Sequence, residues 1–182
     1  QWSSSAASDV YKRQLLERTH SLIICVDCGT LSHEAIESID SSDLIVLDHH
    51  LASEILPKCH AVVNPNRQDE LGALSHLCAA AVVFLCLVEM RRLLRLSAEK
   101  SPDLLDMLDL VALATVADVA PLVGVNRAFV RQGLKILSRR KRIGLAALSD
   151  QVKIDQELSA YHLGFLLGCL LYTSDAADDD HC

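Results

Sequence analysis

The chain has 182 residues, 51% of them hydrophobic and only 4% aromatic, with a formal net charge of −7. That length allows one ordinary domain, or one domain and part of another, with a real core. The acidic balance gives no bulk electrostatic case for nucleic-acid binding, and the longest apolar run, Leu77 to Val88, is shorter than the roughly 20 residues that span a bilayer.

Leu22 to Val26 (LIICV) is too short for a globular helix and rich in β-branched residues, so it predicts a buried strand of a parallel sheet. Ser32 is placed to cap a short helix from His33 to about Ile39, with Glu34 in its first turn. Leu44 to Leu47 predicts a second strand, and Ala61 to Val63 a third, which runs into the turn-prone NPN at 64–66. Strand, helix, strand opens a βαβ unit. Beyond it the pattern is helical: Leu74 to Leu96, then a helix with Ser101 as cap and Pro102 in its first turn running to Asp118. Pro121 forces a stop there. An amphipathic helix follows from Asn126 to Leu137 with Val130, Leu134 and Leu137 on one face, then a short piece from Gly144 to Leu148 and an apolar segment from Tyr161 to Gly168. The expected fold class is α/β, a parallel sheet with flanking helices followed by a mainly helical segment.

The two ends differ from this interior. QWSSSAASDVYKRQ (1–14) and CLLYTSDAADDDHC (169–182) resemble translated sequencing adapters, which leaves 15–168 as the expected native portion, with a net charge of −4. The N-terminus shows no basic region leading into an apolar stretch, so a cytoplasmic protein without a membrane segment is expected. The seven cysteines lack the dense spacing of a secreted scaffold and read as reduced thiols. Cys25 and Cys28 form a lone C-x-x-C, and strand alternation predicts that they face opposite sides as structural thiols. Two basic clusters, Arg91, Arg92 and Arg95, and Arg139 to Arg142, read as solvated helix faces and ends.

In an open parallel sheet the carboxyl ends of the strands line the ligand crevice, so Asp27, Asp48, His49 and His50 are expected to converge there. Taken singly, Asp27 shapes a turn, Asp118 ends a helix, and each histidine fills a partly buried place. Taken together, carboxylate and imidazole suit Mn²⁺ or Mg²⁺, and such ions hold a phosphoryl group and activate water. The candidate set is Asp27, Asp48, His49 and Asp118 as ligands, with His50 at the phosphate or in proton transfer.

The segments VDCG after the first strand, LDHH after the second, VVNPN at the third, and LDLVALATVADVAPLVGVNRAFVRQGL further on resemble the DHH phosphoesterase superfamily, and within it the RecJ-type exonucleases. The resemblance runs from about Leu22 through Gly168. It implies a 5′-to-3′ exonuclease on single-stranded DNA in recombination and repair, dependent on Mn²⁺ or Mg²⁺, with DNA-repair or single-strand-binding proteins as partners. By the same resemblance Asp27, His49 and Asp118 are metal ligands and His50 meets the scissile phosphate. Asp48 supports the site, and Arg127 is a weaker phosphate contact.

The chain departs from that family in three places. No D-x-D strand end precedes Leu22, no PRINA-type stretch follows SAYHLGFLLG, and Ala81 stands where glycine is usual. An inactive fragment is therefore expected. The alternatives are a DHH enzyme acting on short oligoribonucleotides or nucleotide phosphates, and an inactive DHH-like binding module.

Overall fold

Side chains on alternate positions of an extended strand point to opposite faces, and the first strand obeys this rule. The computed structural model describes residues 20–39, 42–94, 102–152 and 158–171. The end segments 1–14 and 172–182, and with them Ser101 and Arg95, lie outside the described residues. The chain divides into two compact units, 1–75 and 76–182.

The first unit holds β1 (Leu22–Val26), α1 (His33–Glu37), β2 (Asp43–Leu47) and β3 (Ala61–Val63). The strands form one parallel sheet in the order β1-β2-β3, with Ile24 opposite Ile45 and Val46 opposite Val62. Ile23, Leu44 and Val46 on one face pack with Ile36 of α1. The other face differs from the expected buried strand: Leu22, Ile24 and Val26 remain about half exposed. The reason is local, since α1 is the unit's one described helix and covers one side.

The second unit holds α2 (Ala79–Leu93), a 3-10 turn (Leu105–Met107), α3 (Leu108–Ala117), α4 (Gly124–Leu137), α5 (Ile143–Gln151) and a π-helical stretch (His162–Gly168). Two helices start later than the sequence suggests. Residues 73–76 form turns, and α2 begins only after Cys78. Pro102 lies outside any helix, because the Asp103 carboxylate accepts the Leu105 amide at 3.0 Å and the chain enters α3 through the tighter 3-10 turn.

The core of this unit gathers Ala112, Leu113, Val130, Leu137, Leu145, Leu163 and Leu167, with Leu134 against it, which is the face expected of α4. Helices α3 and α4 pack most closely at Gly133, where a Cβ would run into the Leu108 carbonyl and the Ala112 methyl. Ala81, at the position where glycine is expected from the resemblance, is fully buried in α2. Among the described residues no helix is long and apolar enough to cross a membrane.

The basic cluster at 139–142 is structural, as expected. Arg142 grips the buried Asp109 carboxylate with Nε at 2.9 Å and Nη2 at 3.1 Å, Lys141 and Arg139 meet Asp106, and Arg140 meets Asp150. Arg92 pairs with Glu89 one turn earlier on α2.

Candidate metal centre

All three described strands deliver a polar residue at their carboxyl ends: Asp27 after β1, Asp48 after β2 and Asn64 after β3. β1 stops because Asp27 turns into the left-handed region, with φ of 63°, which aspartate tolerates better than most residues. Its amide still donates to the Leu47 carbonyl at 3.0 Å, so the carboxylate springs from a fixed point. Gly29, at φ of 113°, lays the loop on β2, where a Cβ would come within 3.0 Å of Val46 Cγ2. That turn brings the Thr30 amide to Asp48 Oδ2 at 3.0 Å.

Asp48 is 2% exposed, and its carboxylate accepts hydrogen bonds at both oxygens. Its Oδ1 takes the His49 amide at 2.8 Å, the His50 amide at 3.3 Å and the His50 ring Nδ1 at 2.7 Å. Burial pushes its carboxyl up. The His50 ring, the Thr30 hydroxyl and the Thr30 and His49 amides outweigh that and bring it down from 3.8 to about 2. An ionised carboxylate only accepts, so His50 Nδ1 carries the proton and Nε2 presents a lone pair in the neutral ring.

His49 Nε2 lies 3.1 Å from Asp27 Oδ1, and the two imidazole centroids are 4.6 Å apart. One ligand atom from each of Asp27, His49 and His50 falls within 4.8 Å of the other two. A carboxylate oxygen and two imidazole nitrogens fit a divalent ion such as Mn²⁺, and Asp48 orients one of those imidazoles as outer-shell carboxylates do. The structure thus brings together four of the expected residues. It groups His50 with Asp27 and His49, and gives Asp48 the supporting place behind them.

Two further residues brace this loop, at positions where the sequence alone predicts only a turn. Asn64 Nδ2 donates to the His50 carbonyl at 2.8 Å and to Thr30 Oγ1 at 3.0 Å, while Asn66 Nδ2 donates to the His49 carbonyl at 2.6 Å. Asn66 N in turn donates to Asn64 Oδ1 at 2.8 Å. The signal that could have found them is an N-P-N placed directly after a strand of a parallel sheet. The expected opposite facing of Cys25 and Cys28 is corrected, while both stay free thiols. The turn at Asp27 ends strand alternation, so the Cys28 thiol meets Cys25, and that hydrogen bond holds Cys25 down at about 7 while Cys28 is pushed up.

Asp118 and Arg127 belong to the second unit. Asp118 caps the C-terminus of α3, followed by Val119 at φ of 53°. The Val119 amide reaches the Val116 carbonyl at 3.1 Å and the Ala120 amide the Thr115 carbonyl at 3.0 Å, a Schellman ending with valine where glycine is usual. Arg127, in the first turn of α4, donates from Nε to the Leu122 carbonyl at 3.2 Å.

Residues 3–115 match the DHH family, N-terminal domain. The chain belongs to the DHH family. Among curated DHH relatives it is 37% identical over 180 residues to the single-stranded-DNA-specific exonuclease RecJ of Escherichia coli, and 35% identical over 138 residues to that of Bacillus subtilis. These alignments cover 91% and 75% of this chain but 31% and 16% of the relatives, so the chain spans a third of their length or less. Among solved structures it resembles RecJ of Thermus thermophilus in complex with Mn²⁺, with a TM-score of 0.77 and 29% identity over 92% of this chain and 24% of that one. An exonuclease RecJ bound to manganese gives a TM-score of 0.73 and 30% identity over 93% of this chain and 46% of that one.

Proposed function

We propose that this chain is part of a metal-dependent exonuclease that hydrolyses phosphodiester bonds of single-stranded DNA from the 5′ end, in cytoplasmic recombination and repair. The observation that carries the proposal is the convergence of Asp27, His49 and His50 over an ionised Asp48. Its likeness to relatives named single-stranded-DNA-specific exonucleases supplies the substrate class.

In this reading Asp27 and His49 hold Mn²⁺ or Mg²⁺, and Asp118 keeps the ligand role its motif implies. When bound, the ion supplies Lewis acidity and activates water at neutral pH. His50, its Nδ1–H fixed on Asp48, offers Nε2 to the ion or to the scissile phosphate. Arg127 offers its guanidinium to a substrate phosphate.

The test is Mn²⁺ titration of the purified chain followed by electron paramagnetic resonance, in which the free-ion signal disappears on binding. His49→Ala and Asp27→Asn are each expected to weaken binding about tenfold or more, the scale on which loss of a ligand or its support is felt. Equal Mn²⁺ binding by the wild type and the double variant would sink the metal centre. The chain alone is expected to show no exonuclease turnover, which a gel assay on labelled single strands checks directly.

A further inference from the structure

Most described cations of the second unit are paired. Arg139, Arg140, Lys141 and Arg142 each have a carboxylate partner, and Arg92 has Glu89. Arg127, Arg131 and Lys135 are different. They recur every fourth residue along α4, a helix whose sequence GVNRAFVRQGLKIL contains no acid, and none of them has a carboxylate within ion-pair distance among the described residues. All three are exposed and line one open groove of about 520 Å³ whose apolar wall includes Leu122, Leu134 and Leu158.

A four-residue step along a helix advances about 6 Å and drifts about 40° around it, so the three cationic groups form a gently winding rail about 12 Å long. Unpaired like charges held in a row on a rigid helix repel one another and favour a polyanion laid along them. The phosphates of an extended single strand recur at a comparable interval, and a cationic rail beside an apolar wall is the arrangement that tracks a backbone while sheltering base faces. A duplex presents its bases inward and gains nothing from that wall.

We propose that the α4 groove, with Arg131 and Lys135 as its phosphate contacts beyond Arg127, is a binding track for single-stranded DNA. The proposal rests on the function proposed above for its choice of strand, and on the groove for its location. Contacts on the rail are sequence-independent, so they lengthen the hold on any strand without selecting a base.

The experiment measures fluorescence anisotropy of a fluorescein-labelled oligothymidylate with the full chain, its Arg131→Ala/Lys135→Ala variant, and a Leu134→Asn variant, across a salt series. Circular dichroism confirms that each remains folded, and Mn²⁺ titration of each reads the metal centre separately. The double variant is expected to bind the strand about tenfold more weakly. Its slope of log affinity against log salt is expected to fall by about 1.4, at roughly 0.7 for each single-strand phosphate that the variant leaves unneutralised. Leu134→Asn is expected to weaken binding at every salt concentration and leave the slope as it was. Mn²⁺ binding stays as in the wild type. Absence of Mn²⁺ binding in the wild type with a rail-dependent oligonucleotide affinity would leave the track standing and remove the metal centre. Unchanged affinity and slope in the double variant overturn the track, whatever the metal does. So does rail-dependent capture of a polyglutamate peptide in place of the oligonucleotide.

Discussion

The first unit holds its geometry with polar side chains, the second with packed apolar ones. Around Asp48 the loops are fixed by amides, a threonine and two asparagines, while the sheet beneath them packs a small cluster, Ile23, Leu44 and Val46, against Ile36. The helical unit instead closes α3 on α4 at Gly133 and fills the gap with seven buried side chains. Hydrogen bonds are directional and place a donor atom to within tenths of an ångström, whereas apolar burial supplies most of the free energy and little aim. The unit that gathers Asp27, His49 and His50 relies on the first. A unit that has chiefly to hold its helices together relies on the second.

Three comparisons sharpen that contrast. Gly133→Ala forces a methyl into the Leu108 carbonyl and is expected to cost about 3 kcal/mol in urea unfolding, at the upper end for overpacking. Gly144→Ala, with nothing within 4 Å of its Cβ, is the control and is expected to cost nothing. A similar loss in both would show that the crossing is looser than it looks.

The polar unit should break with acid. The Asp48 carboxyl is depressed from 3.8 to about 2, so it contributes stability above the unfolded value and loses it as pH falls from about 4 through 2. The contribution is about 2 kcal/mol, since the group is buried and each tenfold change in its acidity is worth about 1.4 kcal/mol. Asp48→Asn, in metal-free buffer, is expected to flatten the decline of stability over that window. An unchanged acid profile would count against the buried carboxylate.

The smallest effect is expected at Val119. It is 88% exposed and sits at φ of 53°, a conformation that costs a β-branched residue about 1 kcal/mol or more. Val119→Gly is therefore expected to raise thermal stability by about 1 kcal/mol or slightly less. If it lowers stability instead, the Schellman ending of α3 is held by something other than its backbone.

Much of this is legible in the sequence because parallel strands have direction. LIICV and LIVL had to be strands, strands of a βαβ unit had to be parallel, and their ends had to meet, which placed Asp27, Asp48, His49 and His50 together. What escapes depends on backbone turns that no periodicity records. The left-handed Asp27 folds Cys28 back onto Cys25, and the Asp103 carboxylate delays α3 past Pro102. Asn64 and Asn66 escape for another reason: their partners are carbonyls distant in sequence, and N-P-N spells a turn whether or not its amides are used.

Those two asparagines have an evolutionary consequence. They grip the main-chain oxygens of residues 49 and 50 rather than the imidazoles, so this part of the bracing does not depend on the side chains those positions carry. A lineage can therefore vary either side chain while keeping these two main-chain hydrogen bonds.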